Sequence, residues 1–182
     1  MIFRSKPGYM KTIFTAAAIC LFIALSGYAQ ETCPRHTETA GRFSYCPPAG
    51  WVSKDPTSGT YKTFVTPDNA TVRANLNMKD EVTSSTHNEY MAAALKILLA
   101  DNPTKGADTR KVIGWTDFTT ASNLRGSRMV YETEYKGLFL RTVQYIFDVP
   151  GKKLILTGTA LESSKATTDP IFDGVAKTLR TF

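Results

Sequence analysis

Three tight turns in the second half of the sequence constrain the fold more than any other feature. Residues 123–126, 136–137 and 149–152 carry the glycine, proline and asparagine residues that tight turns require. They separate four β-type segments, at residues 111–118, 128–136, 138–149 and 153–161. A parallel pair needs a crossover of a dozen or more residues, so segments joined by turns this short must be antiparallel. The sequence therefore predicts a meander of four antiparallel strands.

The segment 138–149 is apolar on both of its faces. Leu140 and Ile146 share one face, and Val143, Tyr145 and Phe147 share the other. A strand of this kind lies in the interior of a sheet and has a packed layer on each side. We therefore expect the segment to be a central strand with a helix on each face of the sheet.

Two segments have the helical period that such cover requires. Thr86 and Glu89 have the spacing of a capping box, and an apolar stripe follows at Met91, Ala94, Leu95 and Leu98. Asn102-Pro103 is predicted to end this helix. Asp169-Pro170 is predicted to begin the second helix, as an N-cap followed by proline at the first helical position.

The first half of the chain supplies the remaining strands. They are predicted at residues 42–46, before Pro47-Pro48, and at residues 60–65 and 70–78. The order is then β-β-β-α-β-β-β-β-α. It predicts an α+β domain with a single antiparallel β-sheet and helices packed on its faces.

Residues 1–29 have the composition of a signal peptide. Three basic residues precede an apolar run of 13 residues, at 13–25, and small residues at Gly27 and Ala29 suit a signal peptidase. A helix of that length spans about 20 Å, less than the hydrocarbon core of a membrane. We expect cleavage near Ala29 and a periplasmic or secreted location, with an uncleaved anchor as the alternative. Met1 and Met10 are both candidate start sites.

The remaining chain divides into an arm, residues 30–41, and a domain, residues 42–182. Three of the 22 Lys and Arg residues and none of the 16 Asp and Glu residues lie in the signal segment, which leaves a formal charge of +3. That is an ordinary surface charge, and it gives no electrostatic case for nucleic-acid binding. We expect a loosely held arm, no stable membrane span and a monomer.

Two cysteines, Cys33 and Cys46, remain after the signal segment. In an exported protein an even number favours a disulfide. The alternative is a pair of free thiols. The spacing is not that of a Cys-x-x-Cys oxidoreductase, and the two histidines are not at the spacing of zinc ligands.

No catalytic or metal-binding constellation is evident in the sequence. The two histidines, His36 and His87, are expected to be solvated, so a Ser-His-Asp site is not expected. Glu132 and Glu134 are expected to face solvent. We therefore expect no catalytic residue, no metal and no cofactor.

Aromatic residues gather on the two strands of the central hairpin. They are Tyr131, Tyr135, Phe139, Tyr145 and Phe147. Two interpretations remain open: they form core between the sheet and a helix, or they line a partly open groove for a peptide or an apolar ligand.

Several segments resemble the PsbP/DcrB-like superfamily, which includes the Ran-binding Mog-type proteins. They are the turn that ends at Trp51, the segment Gly126-x-Arg128-x-x-Tyr131, the strand at 154–160 and the closing helix at 169–175. The resemblance covers most of residues 42–182. It implies a PsbP-like α-β-α sandwich and a non-enzymatic role, and it carries over no catalytic residue.

The function predicted from these observations is an exported, non-enzymatic binding or accessory protein of the cell envelope, with an unknown protein partner. The alternatives are a carrier of a small apolar ligand or peptide in the aromatic groove, and a hydrolase with a dispersed site. Trp51, Arg128 and Tyr131 are the candidate interface residues, because arginine and aromatic side chains most often anchor interfaces.

Overall fold

The computed structural model describes residues 33–56, 59–100 and 109–182. The predicted signal peptide, its cleavage site and the Asn102-Pro103 helix stop lie outside these residues. Within the described ranges, no helix is both long enough and apolar enough to cross a membrane.

Seven strands form the main sheet: β3 (Val52–Lys54), β4 (Thr63–Val65), β5 (Asn75–Val82), β6 (Thr109–Thr119), β7 (Arg125–Tyr135), β8 (Leu138–Val149) and β9 (Lys152–Leu161). Their order in the sheet is β3-β4-β5-β9-β8-β7-β6, and every neighbouring pair is antiparallel. The predicted antiparallel meander is confirmed. The strand β8 pairs with β7 on one side and β9 on the other, as its two apolar faces require.

A second, three-stranded sheet corrects the prediction of a single sheet. Its strands are β1 (His36–Glu38), β2 (Phe43–Tyr45) and β10 (Arg180–Thr181), with β2 in the middle. Residues 36–38 of the predicted loose arm are therefore an ordered strand. The strand β2 was predicted, at residues 42–46, but β1 and β10 have three and two residues and are too short to show a period in the sequence.

The first helix follows the prediction. Helix α1 (His87–Leu99) begins after Thr86, whose hydroxyl accepts from the Glu89 backbone N–H at 3.3 Å. The Glu89 carboxylate accepts from the Thr86 backbone N–H at 2.8 Å, which completes the capping box.

The second helix begins earlier than predicted. Helix α2 runs Lys165–Lys177, after a short 3₁₀ turn at Glu162–Ser164, so Asp169 is not its N-cap and Pro170 lies inside it. The Asp169 carboxylate instead accepts hydrogen bonds from Arg141. Because proline has no N–H, the helix lacks one backbone bond at this point, and the packing of Phe172 and Val175 in the core compensates for it.

The two faces of the main sheet are covered unequally. On one face, α2 closes a large core that includes Tyr145, Phe147 and Phe172. On the other, α1 closes a small cluster of four buried residues, Met91, Met129, Ile146 and Ile155. The α1 face is therefore the thinly packed side of the domain, and it carries the features described next.

Candidate functional site

The predicted disulfide between Cys33 and Cys46 is present, with Cα atoms 5.8 Å apart. It joins the arm to the end of β2. The backbone N–H of Cys46 also donates to the Thr178 hydroxyl at 2.8 Å, and the Arg35 guanidinium donates to the Thr178 carbonyl at 2.6 Å. These contacts fix the small sheet to the end of α2.

Trp51 lies at the edge of the α2 core. It is partly buried, and its ring meets Phe172 edge-on at a centroid distance of 6.2 Å. This contact fixes the first turn to α2. That Trp51 contacts a partner stays a prediction.

Arg128 belongs to an ionic network between the main sheet and α2. Its guanidinium donates to Asp173 at 2.7 Å and to Asp169 at 3.3 Å. Arg141 donates to Asp169 at 2.8 Å and to Glu132 at 3.1 Å. The prediction that Glu132 faces solvent is therefore wrong. We call Arg128, Glu132, Arg141, Asp169 and Asp173 the α2 network.

Tyr131 lies on the opposite face of the main sheet from Arg128. Successive residues of a strand point to opposite faces, and Tyr131 packs against the small cluster under α1. The three candidate interface residues therefore do not share one surface.

The predicted aromatic group is also divided between the two faces. Tyr145 and Phe147 are fully buried in the α2 core, whereas Tyr131 packs under α1. Phe139, at the tip of the β7–β8 hairpin, is 59% exposed. No single groove contains all five rings, so this form of the groove hypothesis is wrong.

Neither histidine is the solvated side chain that the sequence predicts. The His36 ring packs between Tyr45 and Phe64, at centroid distances of 5.4 and 5.6 Å. Burial lowers the pKa of His36, an effect that exceeds the opposing influence of Glu38.

His87, the first residue of α1, connects two strands. Its Nε2 lies 2.7 Å from the Ser127 hydroxyl of β7, and its Nδ1 lies 3.2 Å from the Asp148 carboxylate of β8. No short-range pattern in the sequence specifies this arrangement, because Ser127 and Asp148 are 40 and 61 positions from His87. Serine, histidine and aspartate in this order are also the groups of a nucleophilic triad.

Three observations favour a positioning role for this arrangement over catalysis. Ser127 is 3% exposed, so its hydroxyl does not face a substrate. It lies in β7, which is paired on both sides at this point, so the strand's backbone N–H groups are occupied and form no oxyanion hole. Lys153 also binds the Asp148 carboxylate, at 2.6 Å.

Lys153 extends the same set of contacts to the chain before α1. It is 5% exposed, and its ammonium donates to the Ser85 carbonyl at 2.9 Å. Burial raises the pKa of Asp148, but the hydrogen bonds from Lys153 and His87 outweigh that effect and hold the pKa below its usual value. We call Ser127, His87, Asp148 and Lys153 the helix anchor, because together they fix the start of α1.

A groove opens along one flank of α1. It encloses about 230 Å³, and its floor includes Tyr131, Ile146 and Ile155. At its mouth, the Glu81 carboxylate accepts hydrogen bonds from the Tyr90 hydroxyl and the Lys79 ammonium. Burial raises the pKa of Glu81, but these two hydrogen bonds lower it by more.

Apolar side chains are exposed on the other flank of α1 and on the neighbouring edge strand. Leu99 is 65% exposed, and Ile113 and Trp115 of β6 are 45% and 53% exposed. Leu99 lies about 200° round the helix from Ile97, which lines the groove. Helix α1 contacts β6. We call Leu99, Ile113 and Trp115 the α1–β6 surface.

The residues that the structure describes contain no cluster of three or more potential metal ligands. No protein-family model matches the sequence, and no curated protein matches it.

Solved structures do match the fold. The cyanobacterial PsbP of Synechocystis sp. PCC 6803 matches with a TM-score of 0.62 at 14% identity, over 82% of this chain and 92% of that one. LpqN of Mycobacterium tuberculosis, described as involved in cell envelope biogenesis, matches with a TM-score of 0.59 at 13% identity, over 75% and 81%. The Saccharomyces cerevisiae Ran-binding protein Mog1p matches with a TM-score of 0.57 at 7% identity, over 81% and 94%.

These matches place the domain in the class of α+β folds with helices on an antiparallel sheet. More narrowly, its fold is the PsbP/Mog-like fold, as the resemblance implied. At these identities the likeness concerns the fold alone.

Proposed function

We propose that the chain is an exported, non-enzymatic binding protein of the cell envelope that docks a protein partner on its α1 face. The signal-like segment at residues 1–29 and the Cys33–Cys46 disulfide support export. Two of the matched structures bear descriptions of this kind, one as a Ran-binding protein and one as involved in cell envelope biogenesis.

The observation that carries the proposal is the exposed α1–β6 surface on the thinly packed side of the domain. Trp115 is 53% exposed, and tryptophan carries one of the largest apolar surfaces of any side chain. Exposed apolar patches of this kind mark interaction sites, and tryptophan is among the residues that most often dominate binding energy. Trp115 is therefore the proposed anchor of the interface.

A carrier of a small apolar ligand is the second candidate function, and the groove beside α1 favours it. Its floor is apolar, and polar groups gather at its mouth, as in many ligand sites. Its volume of about 230 Å³ is below the range of about 300–1,000 Å³ that is usual for such sites. We therefore place this function second.

The substitution Trp115→Ala tests the docking proposal in the native host. The tagged full-length chain is cross-linked in cells, and the envelope proteins that purify with it are quantified by mass spectrometry. We expect a specific partner that Trp115→Ala reduces by about tenfold or more, because an interface anchor contributes at least about 2 kcal/mol.

Phe139→Ala is the matched control, since Phe139 is an equally exposed aromatic residue at the far hairpin tip. It is expected to leave capture unchanged. Equal capture by the wild type and Trp115→Ala would contradict the proposed surface. Loss of capture by a folded Trp51→Ala or Arg128→Ala variant, with Trp115→Ala unaffected, would place the interface at the α2 side instead.

A further inference from the structure

The strand β6 forms one free edge of the main sheet. It has 11 residues and pairs with β7 alone, whereas β3, at the other edge, has three residues. Within the described ranges, no backbone group outside β7 bonds to β6. Its last carbonyl, at Thr119, accepts from the Lys177 ammonium at 2.6 Å. An edge strand of this length presents a row of unpaired N–H and C=O groups.

A β-bulge restricts the usable part of this edge. The β6–β7 register shifts between Val112 and Gly114 and then continues without a break to Thr119. The regular stretch is therefore residues 114–119, about the length of an average strand. It offers one ladder of backbone hydrogen bonds to an extended chain.

Two exposed side chains on this stretch, one apolar and one acidic, restrict which peptide it would bind. Trp115 is paired with Met129 and Asp117 with Ser127, so both point to the α1 face of the sheet. Asp117 is exposed and has no ion pair among the described residues. It lines an open cleft of about 560 Å³ with Arg125, Asp148 and His87, in which the Asp148 carboxylate is already bound by Lys153 and His87.

We propose that residues 114–119 of β6 bind an extended peptide segment of the partner by strand addition. The segment carries an apolar side chain that packs on Trp115 and, two residues away on the same face, a lysine or arginine that pairs with Asp117. This inference rests on the proposed function and names the chemistry of its partner. Backbone bonds supply affinity, and the two side chains supply specificity.

Synthetic peptides test the inference directly. The first is a fluorescein-labelled Thr-Phe-Thr-Lys-Thr-Val, the second has glutamate in place of lysine, and the third is the first peptide with its backbone nitrogens methylated. Fluorescence anisotropy is measured with the wild type, Trp115→Ala, Asp117→Lys and the control Phe139→Ala. We expect the first peptide to bind most tightly, and the methylated peptide to bind about tenfold more weakly, because methylation removes every ladder donor of the peptide.

The charge-reversal variant gives the sharpest result. Asp117→Lys is expected to favour the glutamate peptide over the lysine peptide, while Phe139→Ala keeps the wild-type order. Equal affinity for the first and third peptides, an unchanged order with Asp117→Lys, or no binding at millimolar peptide would each overturn strand addition. Capture of a partner in cells that depends on Trp115 tests the proposed function separately. These peptide results would overturn strand addition and leave the proposed function standing.

A second copy of the chain is the competing occupant of the edge. Light scattering on the unliganded protein is expected to give the mass of a monomer. A dimer that Trp115→Ala dissociates would show that the edge is occupied by another copy, and it would overturn the proposal of a partner's peptide.

Discussion

Asparagine in place of Asp169 is expected to lower the free energy of unfolding by about 2–3 kcal/mol. The Asp169 side chain is 17% exposed, and its carboxylate accepts from both Arg128 and Arg141. The change leaves two partly buried guanidinium groups with one fewer anion. Removing one partner of a fully buried pair costs about 3–5 kcal/mol. The smaller value is expected because Arg128 keeps Asp173 and Arg141 keeps Glu132.

Urea unfolding measures this effect, with Asp55→Asn as the matched control. Asp55 is exposed, and an exposed carboxylate contributes little to stability. The control is expected to stay within about 0.5 kcal/mol of the wild type. If the two variants were equally stable, the α2 network would not hold α2 to the sheet.

Alanine in place of Gly158 is expected to destabilise the domain by about 1–3 kcal/mol. Gly158 lies in β9 under the ring of Phe172, and an added Cβ would lie 2.5 Å from two ring carbons, Cγ and Cδ1. The ring cannot move away easily, because Phe172 is 1% exposed and fills the α2 core. The new methyl group therefore displaces α2 from the sheet.

The control for this change is the same substitution at Gly174, in α2. An added Cβ there has no neighbour within 4 Å, and alanine favours a helix over glycine by about 1 kcal/mol. Gly174→Ala should therefore raise the melting temperature while Gly158→Ala lowers it. A melting temperature for Gly158→Ala at or above that of the wild type would contradict the close packing of α2 on β9.

The sequence predicted the parts of the fold that depend on local chemistry. The antiparallel meander followed from turns at residues 136–137 and 149–152, because a short turn permits one strand direction. The position of β8 followed from its two apolar faces, and the start of α1 from the capping box at Thr86. Each of these features is specified within a dozen residues.

The errors arose where distant residues determine local structure. Asp169-Pro170 resembles a helix start, but ion pairs with β7 and β8 occupy Asp169, and the helix begins at Lys165. The strands β1 and β10 are stabilised by pairing with β2 and have no period of their own. Local propensity is a weak guide where tertiary contacts compete with it.

The helix anchor was predictable in part. The turn at residues 136–137 sets the register of the β7–β8 hairpin, which brings Ser127 and Asp148 to the same end and the same face. The capping box places His87 in the first turn of α1. The missing step is the placement of α1 over that end of the sheet, which no short-range pattern in the sequence specifies.

The central claim is that this domain binds a partner without catalysis, so Ser127 of the helix anchor is the residue to test. The full-length protein is incubated with a fluorophosphonate probe, which reacts with activated serines, and its intact mass is measured beside that of Ser127→Ala. We predict no adduct on either protein, because the Ser127 hydroxyl is buried and lacks an oxyanion hole. A stoichiometric adduct on Ser127, absent from Ser127→Ala and slowed by His87→Gln, would contradict the claim and establish a serine nucleophile.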